Sequence, residues 1–111
     1  MKIYVNDGNI VTLTAPRALA SGDGALVGAL FGVAQTDAED GATVALVLTG
    51  VMTLTKVTSQ SWTAGTTKVY WDDANHLCTS TASGNKLIGV AVSGAASGTT
   101  TGDVRLNGVA V

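Results

Sequence analysis

Reactive side chains are scarce in this chain. It has one cysteine, one histidine and one proline in 111 residues. With Cys78 alone no intrachain disulfide can form, which fits a reducing compartment. A single His and a single Cys also fall short of the three or four converging ligands that zinc requires. Charge is thin: Asp, Glu, Lys and Arg make up 13 % of the sequence, against about 25 % in an average soluble domain. The six basic residues (Lys2, Arg17, Lys56, Lys68, Lys86 and Arg105) are scattered, and the net charge is −2. Nucleic-acid binding rests on clustered cations, so that partner class is not expected. The longest apolar run, Ala25 to Ala34, is far short of the roughly 20 residues that span a bilayer. Its Gly28 and Gly32 match GxxxG, but a buried strand punctuated by glycine explains them better than helix pairing in lipid. The N-terminus reaches Asn6 and Asp7 before an apolar leader could form, so neither a secretory nor a membrane segment is expected.

Glycine (14 residues), threonine and valine are what the chain has in quantity, and they read as strand and turn throughout. KIYVN alternates, NDGN turns, and IVTLTA places Val11, Leu13 and Ala15 on one face. The apolar run from Leu26 to Val33 reads as one continuous strand. TVALVLTGVMTLTKV is long for a strand, with Val44, Leu46, Leu48, Met52 and Leu54 in phase and Gly50 as a bend or bulge. KVYW, HLCTST, KLIGVAV and DVRLNGVAV complete the set. No stretch sustains a 3.6-residue period, so little helix is expected. Short strands with turn signals every 8–12 residues or so imply a small all-β barrel or β-sandwich with glycine-rich turns, as one domain over residues 1–111. Leu30–Ala34 followed by Val44–Leu46 echoes Leu87–Ala91 followed by Val104–Leu106, as if one hairpin were used twice.

Most of the chemistry is packed into KVYWDDANHLC, residues 68–78. As a hairpin, Asp72, Asp73, Ala74 and Asn75 form the turn, where Asp and Asn bond nearby backbone. As a catalytic site it fails. His76 and Cys78 lie two apart on a strand, pointing the same way without the geometry a base requires. Asp72 and Asp73, as strand neighbours, face opposite sides. Asp37 to Gly41 resembles a calcium loop, but glycine comes one position early and Leu48 stands where the bidentate Glu belongs. Gly22, Gly24 and Gly28 miss the dinucleotide spacing, and no lysine follows glycine as a phosphate loop demands. No enzyme activity, cofactor or metal is expected. The aromatic residues Trp62, Tyr70 and Trp71 suit packing or an interface, with Trp62 and Tyr70 the candidate interface pair.

Four stretches together resemble a known family: DGNIVTLTAPRALASGDGALVGALFGVA, LTGVMTLTK, SWTAGTTKVYWDD and NKLIGVAVSGAASGTTTGDVRLNG. They are similar to the small capsid decoration, or cement, proteins of tailed bacteriophages and prophages. That group has also carried the label of a predicted RecA/RadA-type phage recombinase. The resemblance runs from about Asp7 to Gly108. It implies a β-rich structural protein on the outer surface of the virion capsid, made in the host cytoplasm. Its implied partner is the major capsid protein of the assembled shell, bound as a homotrimer. No catalytic motif is among the matching residues. The recombinase label conflicts with the missing phosphate-loop lysine and the missing basic face. The low charge independently suits a protein whose surface is sealed against neighbours. The rival reading is a small β-sandwich adhesion or carbohydrate-binding module using Trp62, Tyr70 and Trp71.

Overall fold

Alternation of inward and outward side chains marks the strands that face solvent on one side, such as Thr43–Val47 and Thr101–Asn107, whereas Leu30–Ala34 is buried almost throughout. A computed structural model describes residues 10–107 and contains nine strands and no helix among them. The expected strand at Lys2–Asn6 and the tail after Asn107 lie outside the described residues. The strands are β1 (Ile10–Thr14), β2 (Gly24–Val27), β3 (Leu30–Ala34), β4 (Thr43–Val47), β5 (Thr49–Thr55), β6 (Lys68–Asp72), β7 (Leu77–Thr79), β8 (Lys86–Ala91) and β9 (Thr101–Asn107). They form two antiparallel sheets, one ordered β1-β4-β3-β2 and the other β5-β9-β8-β6-β7. The all-β expectation holds.

The apolar run is two strands rather than one. It folds back at Gly28–Ala29, pairing Val27 with Leu30 and Leu26 with Phe31. Gly28 has φ +61°, the left-handed backbone that a two-residue hairpin needs at its first turn position and that glycine adopts freely. TVALVLTGVMTLTKV is likewise divided. β4 belongs to the first sheet and β5 to the second, and the chain crosses between them at Leu48. The inward phase survives the crossing: Val44, Leu46, Leu48 and Leu54 are all buried.

The five-stranded sheet curls into a half-barrel. Beyond β5, Lys56 forms a parallel bridge with Cys78 of β7, and the Val57 N–H donates to the Cys78 carbonyl at 3.0 Å. The two edges of the sheet therefore meet, so the row of unpaired backbone groups that an open edge would expose is partly satisfied. A bulge helps the curvature: Val69 faces Gly89 but Tyr70 faces Leu87, leaving Ile88 as an extra residue in β8.

One aromatic residue joins the sheets. Trp71 of β6 lies 4.9 Å, centroid to centroid, from Phe31 of β3, tilted by 50°. A Cβ at Gly24 of β2 would sit 2.8 Å from the same indole, so the ring rests directly on β2 backbone. Phe31 and Val33 thereby join Leu54, Val69, Ile88, Val104 and Leu106 in one core. A second cluster (Leu19, Val44, Leu46 and Leu48 among others) fills the other side of the first sheet.

The two halves of the sequence echo do form two hairpins, with different registers. Ala34 faces Leu46 in β3–β4, whereas Ala91 faces Val104 and Gly89 takes Leu106 in β8–β9.

Candidate functional site

The residues of KVYWDDANHLC form a hairpin tip. β6 runs through Asp72, which faces Leu77 of β7, and residues 73–76 make the turn. The Asp72 carboxylate braces it, accepting from the Ala74 N–H at 3.1 Å, the Asn75 N–H at 3.3 Å and the Asn75 amide Nδ2 at 2.8 Å. The Asn75 side-chain hydrogen bond leads in holding the Asp72 carboxyl below its usual range. The stability linked to this shift is present above the ordinary carboxylate pKa and disappears as pH falls through the lowered one. Asp73 accepts from the Trp71 indole N–H at 3.0 Å. His76, at φ +56°, stacks on Trp71 with ring centroids 6.5 Å apart. The two aspartates thus brace a turn and an indole instead of facing one substrate.

Cys78 is fully buried, and desolvation pushes its thiol up to about 12. A thiol in that state is inert because the thiolate is the reactive form. Native protein should therefore resist aromatic disulfide reagents, and denatured protein should release one equivalent. Rapid labelling of the folded chain would contradict the burial. Among the described residues no three His, Cys, Asp or Glu side chains are grouped to hold a metal ion.

The aromatic residues separate. Trp62, 3 % exposed, pairs its backbone with Ala95 and lies against Gly102 of β9. Trp71 is 2 % exposed. Only Tyr70 faces outward, half-buried, opposite Leu87. The three rings do not form an exposed platform on which a sugar could stack. Trp62 is instead part of the half-barrel interior, and so is Lys56, whose burial the sequence did not suggest. The Lys56 Nζ sits 5.6 Å from the Trp62 ring centroid and donates to the Val57 carbonyl at 2.9 Å. Cation–π contact and one carbonyl thus stand in for an anionic partner. The Trp62 Nε1 is buried with no acceptor among the described residues.

The most distinctive surface is the outer face of the half-barrel. Its central row runs across four strands as Lys68, Val90, Arg105 and Val51, each residue opposite the next. Val51 is 58 % exposed, and Leu87 and Val92 are on the same side, so three of the four large exposed apolar residues among those described share this face. Gly89, Asn107 and their neighbours line a shallow depression there. Beside it Asp103 is tied down, accepting from Thr53 Oγ1 at 2.7 Å and Ser93 Oγ at 3.1 Å. This face was readable only in part: in TGVMTLT, Val51 is the apolar residue out of phase with Met52 and Leu54.

A family model described as phage cement protein matches residues 5–106. No curated protein and no solved structure matches the chain.

Proposed function

Because the chain belongs to the phage cement protein family, a family of structural capsid proteins, we propose that it binds the outside of an assembled capsid and stabilises the shell without performing catalysis. The family match over residues 5–106 is the observation that carries this reading. The sparse charge and the apolar outer face of the half-barrel support it, since a surface of this kind is suited to contact with protein. The partner is the major capsid protein in its lattice, and the protein acts there as a homotrimer on the virion surface after synthesis in the host cytoplasm. Icosahedral shells offer local three-fold positions, which a cyclic trimer matches with three equivalent contacts.

Each further contact of a trimer forms at high effective concentration, but only where the lattice sets the spacing. Assembled shells should therefore bind well and dissociated subunits poorly. Binding the shell but not its parts stabilises it by linkage, by about 2.7 kcal/mol per site at a hundredfold excess over the dissociation constant. Purified protein mixed with undecorated capsids should co-sediment and raise their resistance to heat. Equal affinity for free subunits, or binding with no gain in particle stability, would overturn the proposal. Tight, salt-sensitive DNA binding would favour the recombinase label.

A further inference from the structure

We infer that the outer face of the half-barrel is a self-association surface, on which the acidic β3–β4 loop of a second copy docks head to tail. The inference deepens the trimeric half of the proposed function and rests on it.

Among the described residues, the exposed charges without a hydrogen bond or ion pair separate by sign, with cations on the five-stranded sheet and anions on the β3–β4 loop. Three exposed cations have no ion pair, Lys68, Lys86 and Arg105, and two of them, Lys68 and Arg105, lie in the central row of the five-stranded sheet, each beside Val90. Two strand spacings separate them, about 10 Å. Asp103, two residues before Arg105 on β9, is taken up by the Thr53 and Ser93 hydroxyls. Asp72 and Asp73 at the β6–β7 tip are likewise taken up by hydrogen bonds, while the β3–β4 loop of the other sheet carries Asp37, Glu39 and Asp40, all exposed. Asp37 braces the loop by accepting from the Ser21 N–H at 2.8 Å. Glu39 and Asp40 make no side-chain hydrogen bond or ion pair among the described residues. The chain thus carries two unpaired cations set in an apolar face and two unpaired anions on a braced loop. They belong to different sheets, and no ion pair joins them within the chain among the described residues, which leaves both sets free to meet those of a second copy.

A contact between different surfaces is heterologous, and it closes into a ring when the rotation per subunit permits. Val51, Leu87 and Val92 would supply the apolar part of the contact, and the two charge pairs would set its register and its rate of formation. A two-fold dimer through the outer face alone would instead bring the cations of one copy against those of the other, which like-charge repulsion disfavours.

The test is a charge swap read by sedimentation velocity at low and high salt. Wild-type protein should form a closed oligomer that loosens with salt. Lys68→Glu with Arg105→Glu, and separately Glu39→Lys with Asp40→Lys, should each weaken assembly by roughly tenfold or more in dissociation constant. Combining all four substitutions should restore it. Circular dichroism checks each fold, and the loop variant, confined to exposed side chains, keeps the test valid if the sheet variant misfolds. A wild type that stays monomeric at the highest soluble concentration overturns the inference, as do variants that assemble like wild type or a swap without rescue. The same proteins are then mixed with undecorated capsids. If the sheet variant keeps its oligomer but loses the capsid, the face meets the shell: the inference falls and the cement reading survives. If assembly follows the swap but no version binds capsids, the inference survives and the cement reading falls.

Discussion

Trp71→Ala should cost about 3–5 kcal/mol, the range for truncating a large buried aromatic, out of the roughly 5–15 kcal/mol that holds a small domain folded. The indole is 2 % exposed, packs on Phe31 and on the backbone of Gly24, and is held in orientation by its N–H bond to Asp73. The ring lies in the core shared by Phe31 and Val33 of one sheet and Leu54, Val69 and Ile88 of the other, so the cavity would open at the junction of the sheets. Urea titration should show a much lower midpoint. Trp71→Phe should recover most of the loss, because it restores ring packing and gives up only the indole hydrogen bond and some volume. A loss below about 1 kcal/mol for the alanine variant, the scale of an ordinary surface change or a conservative core trim, would show that something other than this ring joins the sheets.

The second large effect comes from adding a single methyl group. A Cβ at Gly89 would collide with the backbone carbonyl of Arg105 across the β8–β9 ladder. A side-chain obstacle could rotate away, but a carbonyl held in a sheet can move only by pulling the strands apart. Gly89→Ala should therefore reach or exceed the top of the about 1–3 kcal/mol range for overpacking, and lose pairing of Val90 and Ala91 with β9 as well. Amide exchange at these positions would rise alongside the fall in thermal midpoint. Gly94→Ala is the control: its nearest neighbour, the Trp62 carbonyl, is 3.9 Å from a Cβ there, so its effect should be small. Equal effects at both positions would rule out the steric account.

How much of this was legible depends on which signal each element leaves in the sequence. The β6–β7 hairpin was readable because Asp72, Asp73 and Asn75 are turn formers between two alternating runs. The alternation in Lys68-Val69-Tyr70-Trp71 also places Val69 and Trp71 inside and Tyr70 outside. The β2–β3 hairpin was hidden because both arms and the turn are small or apolar, so Gly28 looked like punctuation within a strand. The division between β4 and β5 was only half visible: the apolar phase continues through Leu48, and Gly50, at φ +103° just past the crossing, reads as a bend within one strand rather than as a change of sheet. Trp62 lies outside any named strand, so phase had nothing to say about it. Its burial follows from where Gly102 falls on β9, a long-range fact no local pattern carries. The outer face was the least legible part, since it is assembled from single residues of β5, β6, β8 and β9 whose neighbourhood exists only once the register is set.

The crossing at Leu48 also bears on synthesis. All four strands of the first sheet precede it in the chain and all five of the second follow. Nothing from the later half is needed to pair β1 through β4, so hydrogen bonding of that sheet can begin once residue 47 has cleared the ribosome. Its Phe31 and Val33, however, wait uncovered until Trp71 emerges 24 or so residues later, a delay of a few seconds at bacterial-like elongation rates of about 5–20 residues per second. During that interval the emerging chain presents a sticky apolar face with no internal cover. The position of one tryptophan along the chain therefore sets the earliest moment at which Phe31 can gain its aromatic partner.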